Sequence, residues 1–176
     1  MSLDLIEPAE ASSPVPQVRL FPRHEQTFPD LSAAEIARMH RFGEMRSYRD
    51  GELMFETGKP GPGMFVILSG QVAVTERDGL GHVTPVITQG PGQLMAEIGQ
   101  LSGRVALVDG RAEGNVETLL IPPDRLRALL VAEAALGEPI MPALLLRRVG
   151  LLQGGAGAPI LIGGPTSADV LRLQGF

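Results

Sequence analysis

The chain reads MFVILSGQVAVTER over residues 64–77, and this stretch decides the fold class. Apolar residues fill its first five positions, a Ser-Gly pair interrupts it, and apolar residues then alternate with others through Val72 and Val74. Alternation with a period of two is typical of a β-strand with one buried face. The stretch therefore predicts two strands, over 64–68 and 71–77, with a glycine turn between them.

The same pattern extends outward from about residue 44 to residue 121. Strand-like segments occur at 53–55, 82–89 and 116–121, and Gly-rich turns separate them. Short strands with turn signals every eight to twelve residues or so indicate a sandwich or barrel, and no helix of crossover length interrupts them. We predict a mainly β fold, an antiparallel β-roll of about eight strands, related to the double-stranded β-helix or jelly roll.

Helical signals flank the predicted roll on both sides. Ser32 and Glu35 form an S-x-x-E capping box, which predicts one short N-terminal helix. Beyond the roll, the stretch Pro122-Pro123-Asp124 predicts the start of a helix, since proline is tolerated in a first turn. We expect Gly137 to break this helix and a second C-terminal helix to span about 138–153.

These signals divide the chain into three parts. Residues 1–27 hold several prolines among small polar residues and are predicted to form a flexible tail. Residues 28–153 form the predicted domain. Residues 154–176 begin with a Gly-rich linker, followed by an apolar strand at 159–163 and a helix at 166–173. This strand–helix pair has no sheet to join, so we expect it to start a truncated second, α/β domain.

Composition excludes several classes of function. The formal net charge of −5 offers no electrostatic surface for nucleic acid or an anionic membrane. The chain has no cysteine, which excludes thiolate zinc sites, and its three histidines share no metal-ligand spacing. No signal peptide or membrane span is present in the sequence, so a cytoplasmic location is expected. We expect no metal and no cofactor in this segment.

Three segments resemble the cyclic-nucleotide-binding domain superfamily. The first, 51–58, is similar to its paired-glycine turn, and the second, 64–72, to its aromatic–aliphatic strand ending in glycine. The third, 92–103, contains AEIGQLSG and resembles the phosphate-binding cassette. The resemblance extends over about 28–153, where the predicted order of helix, β-roll and two helices also agrees with the family. The resemblance implies a regulatory or sensor domain that binds a cyclic nucleotide.

The cassette segment has chemistry that can be stated from its residues. A one-turn helix opening near Glu97 would present the N–H groups of Ile98 and Gly99 to an anion. The Glu97 carboxylate could accept a ribose hydroxyl, or it could cap the cassette helix instead. An arginine such as Arg104 could fork two N–H groups onto phosphate oxygens. Glu97, Ile98, Gly99 and Arg104 are therefore the candidate ligand-binding residues, and no catalytic residue is predicted.

Two departures from the family pattern predict a degenerate phosphate site. Ala96 stands where the family has glycine, and Ala106 and Leu107 stand where it has the phosphate arginine. Loss of such a contact weakens affinity by about tenfold or more. Asp109 adds a negative charge nearby. We therefore expect weak or absent binding of cAMP and cGMP.

A second resemblance concerns the longer protein. Residues 144–152 and 158–173 are similar to the region that follows the regulatory domain of bacterial thioredoxin-reductase-like flavoproteins. This resemblance implies a C-terminal redox domain in the same chain as the partner, and an NADPH-dependent oxidoreductase as the full-length protein. The segment itself is not predicted to be an enzyme, because it has no nucleophile–base pair.

Two other functions stay open. A sensor of a catabolite-activator-type transcription regulator would need a basic helix-turn-helix after Gln153, where a glycine linker follows instead. A protein-interaction module without ligand is the other alternative, with a homodimer through the helix 138–153. The pair Arg147-Arg148 is interpreted as a solvated face of that helix. Four apolar residues give the helix an a/d-like seam, for which core packing competes with dimerisation: Pro142, Leu145, Val149 and Leu152.

Overall fold

The computed structural model describes Phe21 and residues 23–157. Ordered structure begins earlier than predicted, since a helical turn, α1, spans His24–Thr27. Phe21 and Thr27 are buried, and the ring of Phe21 packs edge-to-face on that of Phe28 at 5.0 Å between centroids. The predicted flexible tail over 1–27 is thus wrong at its C-terminal end, because burial of these side chains fixes the backbone. The predicted strand at 159–163 and helix at 166–173 lie outside the described residues.

The capping box is present as predicted. Helix α2 spans Ala33–Met39, the Ser32 Oγ accepts from the Glu35 N–H, and the Glu35 carboxylate accepts from the Ser32 N–H at 2.7 Å. The Ser32 hydrogen bonds lower the pKa of Glu35 below its ordinary value. A 3-10 turn, His40–Phe42, then leads into the sheet.

One six-stranded sheet forms the body of the domain, and all its strand pairs are antiparallel. The order is β1-β6-β3-β4, with β2 also paired to β6 and β5 to β3. This arrangement confirms the mainly β fold with flanking helices. The strands are β1 (Glu44–Tyr48), β2 (Leu53–Phe55), β3 (Met64–Arg77), β4 (Val83–Gln89), β5 (Leu94–Met95) and β6 (Asp109–Ile121).

The described residues contain six strands where about eight were predicted, because β3 and β6 are long. The predicted strands 64–68 and 71–77 are one element, β3, whose register against β6 shifts on both sides of Ser69. At Gly70 φ is +80°, and a Cβ there would lie 2.4 Å from the carbonyl oxygen of Asn115. The glycine therefore forms a bulge that bends a continuous strand, where we had predicted a turn.

The two faces of β3 belong to two hydrophobic cores. Phe65 and Ile67 point into the interior of the roll, whereas Met64 and Val66 point to the helices on the outer face. All four are fully buried. The continuous apolar run at the start of β3 therefore reflects a strand segment covered on both sides.

Two C-terminal helices cover the outer face, α3 (Pro123–Ala132) and α4 (Ala134–Gln153). The break between them falls at Glu133, and the prediction of a break at Gly137 and a helix over 138–153 is wrong by about one turn. Glu133 has φ −125° and its carboxylate pairs with both Arg38 and Arg41. These ion pairs hold the helix junction against the N-terminal helix. Among the described residues, no helix has the length and apolarity needed to cross a membrane.

Candidate functional site

A cavity of about 50 Å³ lies in the roll, next to the cassette segment 92–103. Strands β2, β3 and β4 contribute apolar walls through Phe55, Val74 and Val86. The remaining lining residues come from both ends of the described chain, from β4 and β5, from the cassette, and from the segment between the cassette and β6. They are Phe21, Phe28, Ile87, Gln89, Met95, Ala96, Glu97, Gln100, Ala106, Leu107, Val108, Arg147 and Leu151.

Glu97 begins the cassette turn, as predicted. It is the N-cap of a 3-10 helix over Ile98–Ser102, and its Oε2 accepts a hydrogen bond from the Gly99 N–H at 2.7 Å. The same oxygen accepts from the Arg148 guanidinium at 2.8 Å, with both side chains largely buried. The carboxylate and the Gly99 N–H are thus paired within the chain, which agrees with the capping role considered for Glu97.

Gly99 is required by this arrangement. A Cβ at Gly99 would lie 2.3 Å from the Arg148 Nη1 and 2.4 Å from the Glu97 Oε1. The sequence predicted that the Gly99 N–H would face a bound anion. In the structure the glycine admits the ion pair between the cassette and α4.

Arg147 is the most deeply buried charge beside the cavity, 5% exposed. Its Nε donates to the carbonyl oxygen of Thr27 at 2.8 Å, and its Nη1 donates to that of Leu94 at 2.6 Å. The guanidinium also lies over the Phe28 ring at 4.8 Å. Burial lowers the pKa of Arg147 to about 9, which leaves it charged at neutral pH. The interpretation of Arg147-Arg148 as a solvated face is therefore wrong.

Three buried polar atoms of cavity-lining residues have no hydrogen-bond partner among the residues that the structure describes. They are Nη2 of Arg147, Oε1 of Glu97 and Oε1 of Gln100. Buried polar groups in proteins nearly always have a partner. Residues that carry one such donor and two such acceptors thus line a cavity whose other walls are mainly apolar, which is the general form of a small-molecule site.

Arg104 and Asp109 do not take part in this cavity. Arg104 is exposed and does not line it, so the structure does not bring Arg104 together with Glu97. Asp109 is buried and accepts from the Thr57 N–H at 2.7 Å and from Arg77 at 2.8 Å. Burial favours a higher pKa for Asp109, but these hydrogen bonds outweigh it and the pKa lies below its ordinary value. Arg77 therefore compensates the charge that we expected to oppose an anionic ligand.

Residues from both ends of the described chain close the cavity. Phe21 and Phe28 pack into the roll core from the N-terminal side, and Leu151 and Ala156 pack into it from the C-terminal side. Ala156 is 2% exposed, so the segment 154–157, predicted as a linker, is a turn that contributes to the core.

Residues 45–133 identify the sequence family of the chain. They match the cyclic nucleotide-binding domain family, and the match spans half of the chain. The chain belongs to this family. The matched region runs from β1 to the end of α3 and includes the cassette, so the first resemblance is confirmed for the fold.

Solved structures support the same assignment of fold for this cyclic nucleotide-binding domain. The catabolite activator protein of Thermus thermophilus is 22% identical with a TM-score of 0.61, over 71% of this chain and 58% of that one. The regulator CLP of Xanthomonas campestris is 20% identical with a TM-score of 0.55, over 71% and 59%. CprK in complex with o-chlorophenolacetic acid is 14% identical with a TM-score of 0.55, over 70% and 51%. A search of curated proteins finds no match.

The matched region of the domain spans just over half the length of these three proteins. Their identities are below 25%, so they establish the fold and not the ligand. Among the described residues, no group of three His, Asp or Glu side chains could hold a metal ion.

The residues that sequence reasoning missed are Phe21, Arg147 and Arg148. For Arg147 a signal existed, because the buried positions of α4 fall at helical spacing and include it. The buried stripe of α4 is Leu136, Ile140, Ala143, Leu144, Arg147, Gly150 and Leu151. No comparable signal exists for Phe21, whose burial depends on contacts distant in the sequence.

Proposed function

We propose that this domain is a non-catalytic sensor whose cavity takes a small, mainly apolar ligand in place of a cyclic nucleotide. The observation that carries the proposal is the apolar pair Ala106 and Leu107 on the cavity wall. The family resemblance implies a phosphate-binding arginine at one of these two positions. Neither a methyl nor an isobutyl group can donate a hydrogen bond to a phosphate oxygen.

The state of Glu97 supports the same proposal. Oε2 of Glu97 already accepts from Arg148 and from the Gly99 N–H, so only Oε1 is left for a ribose hydroxyl, and a second ribose contact on this carboxylate would have to displace the ion pair. Separating a largely buried ion pair leaves charges uncompensated and is unfavourable. The cavity is also small, since about 50 Å³ corresponds to room for about four water molecules. A nucleotide would need Phe21, Phe28 or Leu151 to move.

Ligands differ among proteins of this fold. CprK was solved with o-chlorophenolacetic acid bound, and CLP is described as responsive to c-di-GMP. A ligand other than cAMP or cGMP is therefore compatible with the roll. Apolar walls with a few convergent polar groups are the usual composition of a site for a compact organic molecule.

Titration calorimetry with millimolar cAMP and cGMP tests the proposal. We expect no saturable heat with either nucleotide. A sub-micromolar Kd for either one would overturn the proposal, because it would mean that another group supplies the missing phosphate contact. In that case a loss of binding in Glu97→Ala would locate the nucleotide in this cavity.

Two proposals concern the protein of which this domain is part. The likeness to a catabolite activator and to CLP supports a sensor domain of a transcription regulator. The second proposal is a thioredoxin-reductase-like flavoprotein with a C-terminal redox domain. It is supported by the resemblance of residues 144–152 and 158–173. Two measurements on the full-length protein distinguish these proposals. The absorbance of a bound flavin favours the redox protein, and specific retardation of DNA in a gel favours the regulator.

A further inference from the structure

The cavity beside the cassette has an excess of one positive charge. Glu97 and Arg148 neutralise each other as an ion pair. Among residues 21 and 23–157, no carboxylate forms an ion pair with Arg147. The partners of Arg147 are backbone carbonyl oxygens and the face of Phe28, which carry partial charges only. A buried cation without a counter-charge is costly unless an anion joins it.

We infer that the ligand of this cavity is a small, largely apolar carboxylate, and that Arg147 is the residue that pairs with it. The inference rests on the proposed function, and it adds the chemical class of the ligand and its charged contact. Nη2 of Arg147 is buried, has no partner within the described part of the chain, and belongs to a residue that lines the cavity. A ligand carboxylate would accept the hydrogen bonds that this nitrogen has free.

The geometry of the guanidinium is fixed before any ligand binds. Thr27 and Leu94 hold two of its three nitrogens through their carbonyl oxygens, and Ala96 adds a long contact of 3.4 Å to Nη1. The third nitrogen is therefore presented without further side-chain ordering. Such preorganisation limits the entropy lost on binding and favours affinity.

Water alone would satisfy part of this site. A water molecule could accept from Nη2 of Arg147 and donate to the free oxygens of Glu97 and Gln100. It would leave the positive charge unbalanced and would gain little from Phe55 and Val86 on the apolar walls. A carboxylate with a short hydrocarbon body satisfies both features, and a hydroxyl on it would supply a donor to one of the two free oxygens.

Propionate and its neutral analogue propionamide are suitable probes, because they are small enough for the cavity and differ in charge and hardly in shape. Calorimetry on the wild-type chain should give at least about tenfold tighter binding of propionate, the value of one charge-assisted hydrogen bond. In Arg147→Met this preference should disappear while propionamide still binds. Arg125→Met removes an exposed arginine of α3 and should keep the wild-type preference.

Filling the cavity gives a test that keeps Arg147 in place. Ala106→Leu adds volume to the cavity wall and should abolish binding of both probes, whereas Val105→Leu at the neighbouring exposed position should not. If Arg147→Met fails to fold by circular dichroism, Arg147→Lys keeps a cation and a donor for the carbonyls. Its preference for propionate should fall, because the guanidinium fork is lost.

The outcomes separate this inference from the proposed function. Equal binding of the two probes to the wild type would overturn the carboxylate assignment and leave an apolar-ligand sensor. A retained preference in a folded Arg147→Met variant would overturn the role of Arg147. Absence of binding of both probes would overturn the carboxylate assignment, and tight binding of cAMP in addition would overturn the proposed function as well.

Discussion

Arg147 and Arg148 are consecutive in the chain, yet their guanidinium groups have different partners. Arg148 neutralises the Glu97 carboxylate, and Arg147 is held by carbonyl oxygens with one nitrogen free. In a helix, neighbouring residues point about 100° apart. The pair therefore reaches two parts of the cassette from one turn of α4, and exchanging either residue for lysine would remove its planar fork.

At the residue scale, Asp109→Asn should destabilise the protein at neutral pH, because the Arg77 guanidinium loses its anionic partner. The folded-state pKa of Asp109 lies below its ordinary value. The stabilisation by this charge is therefore fully present above the unfolded pKa of about 4 and is lost as the pH falls through the lower folded pKa. Melting temperatures of the variant and wild type should converge at acidic pH.

A matched control for this titration is Glu113→Gln, which neutralises an exposed carboxylate on the same strand, β6. Its melting temperature should follow the wild type at every pH. A difference between Asp109→Asn and wild type that stayed constant from pH 7 to strongly acidic conditions would contradict the assignment of the effect to the charge.

Single residues also mark the limit of what the sequence predicts. The cassette turn and Glu97 could be located from the motif AEIGQLSG, because its glycines and carboxylate have local roles. The partner of Glu97 could not be located from the motif, since Arg148 lies 51 residues away in the chain. Arg104 was preferred for its proximity in sequence, and it is exposed.

At the scale of elements, the N-terminal helix depends on its first turn. Ser32→Ala removes the side-chain oxygen that accepts from the Glu35 N–H, and the serine hydroxyl that donates to the Glu35 carboxylate. We expect a loss of about 1 kcal/mol in the free energy of unfolding, measured by urea denaturation. Ser47→Ala, at an exposed position of β1, is the control and should stay within about 0.5 kcal/mol of the wild type. Equal effects of the two substitutions would contradict the capping role.

Local signals predicted the elements better than their boundaries. Three signals were each sufficient to predict an element, since each acts over a few residues. They are the capping box, the alternation in β3 and the proline start of α3. The break at Glu133 was missed because Arg38 and Arg41 stabilise it from a distant part of the sequence. The sequence alone does not distinguish the bulge at Gly70 from a turn, because both use a glycine with positive φ.

At the scale of the whole molecule, α4 is apolar on two sides. Its inner stripe packs on the sheet, and its outer side exposes Leu145, Val149 and Leu152 to 47%, 48% and 51%. These residues belong to the predicted a/d-like seam of the helix first assigned to 138–153. A second copy that presents the same exposed stripe would bury the stripes of both copies. A homodimer through α4 is therefore still predicted.

Sedimentation velocity of two aspartate variants tests the homodimer. Val149→Asp places a charge in the stripe and should weaken self-association at least about tenfold, because a buried charge without a partner is unfavourable. Val131→Asp makes the same change on α3, where the valine is 85% exposed, and should leave association unchanged. A wild-type chain that sediments as a monomer at every concentration would contradict the prediction.

The single guanidinium of Arg147 joins segments that lie 120 and 53 residues apart in the chain. It connects the N-terminal turn, strand β5 and α4, and moving any one of them away breaks at least one hydrogen bond of this buried guanidinium. Local unfolding should therefore be cooperative across all three. In native-state hydrogen exchange, amides of α1, β5 and the middle of α4 should share one opening free energy, so that this corner of the protein behaves as a single unit.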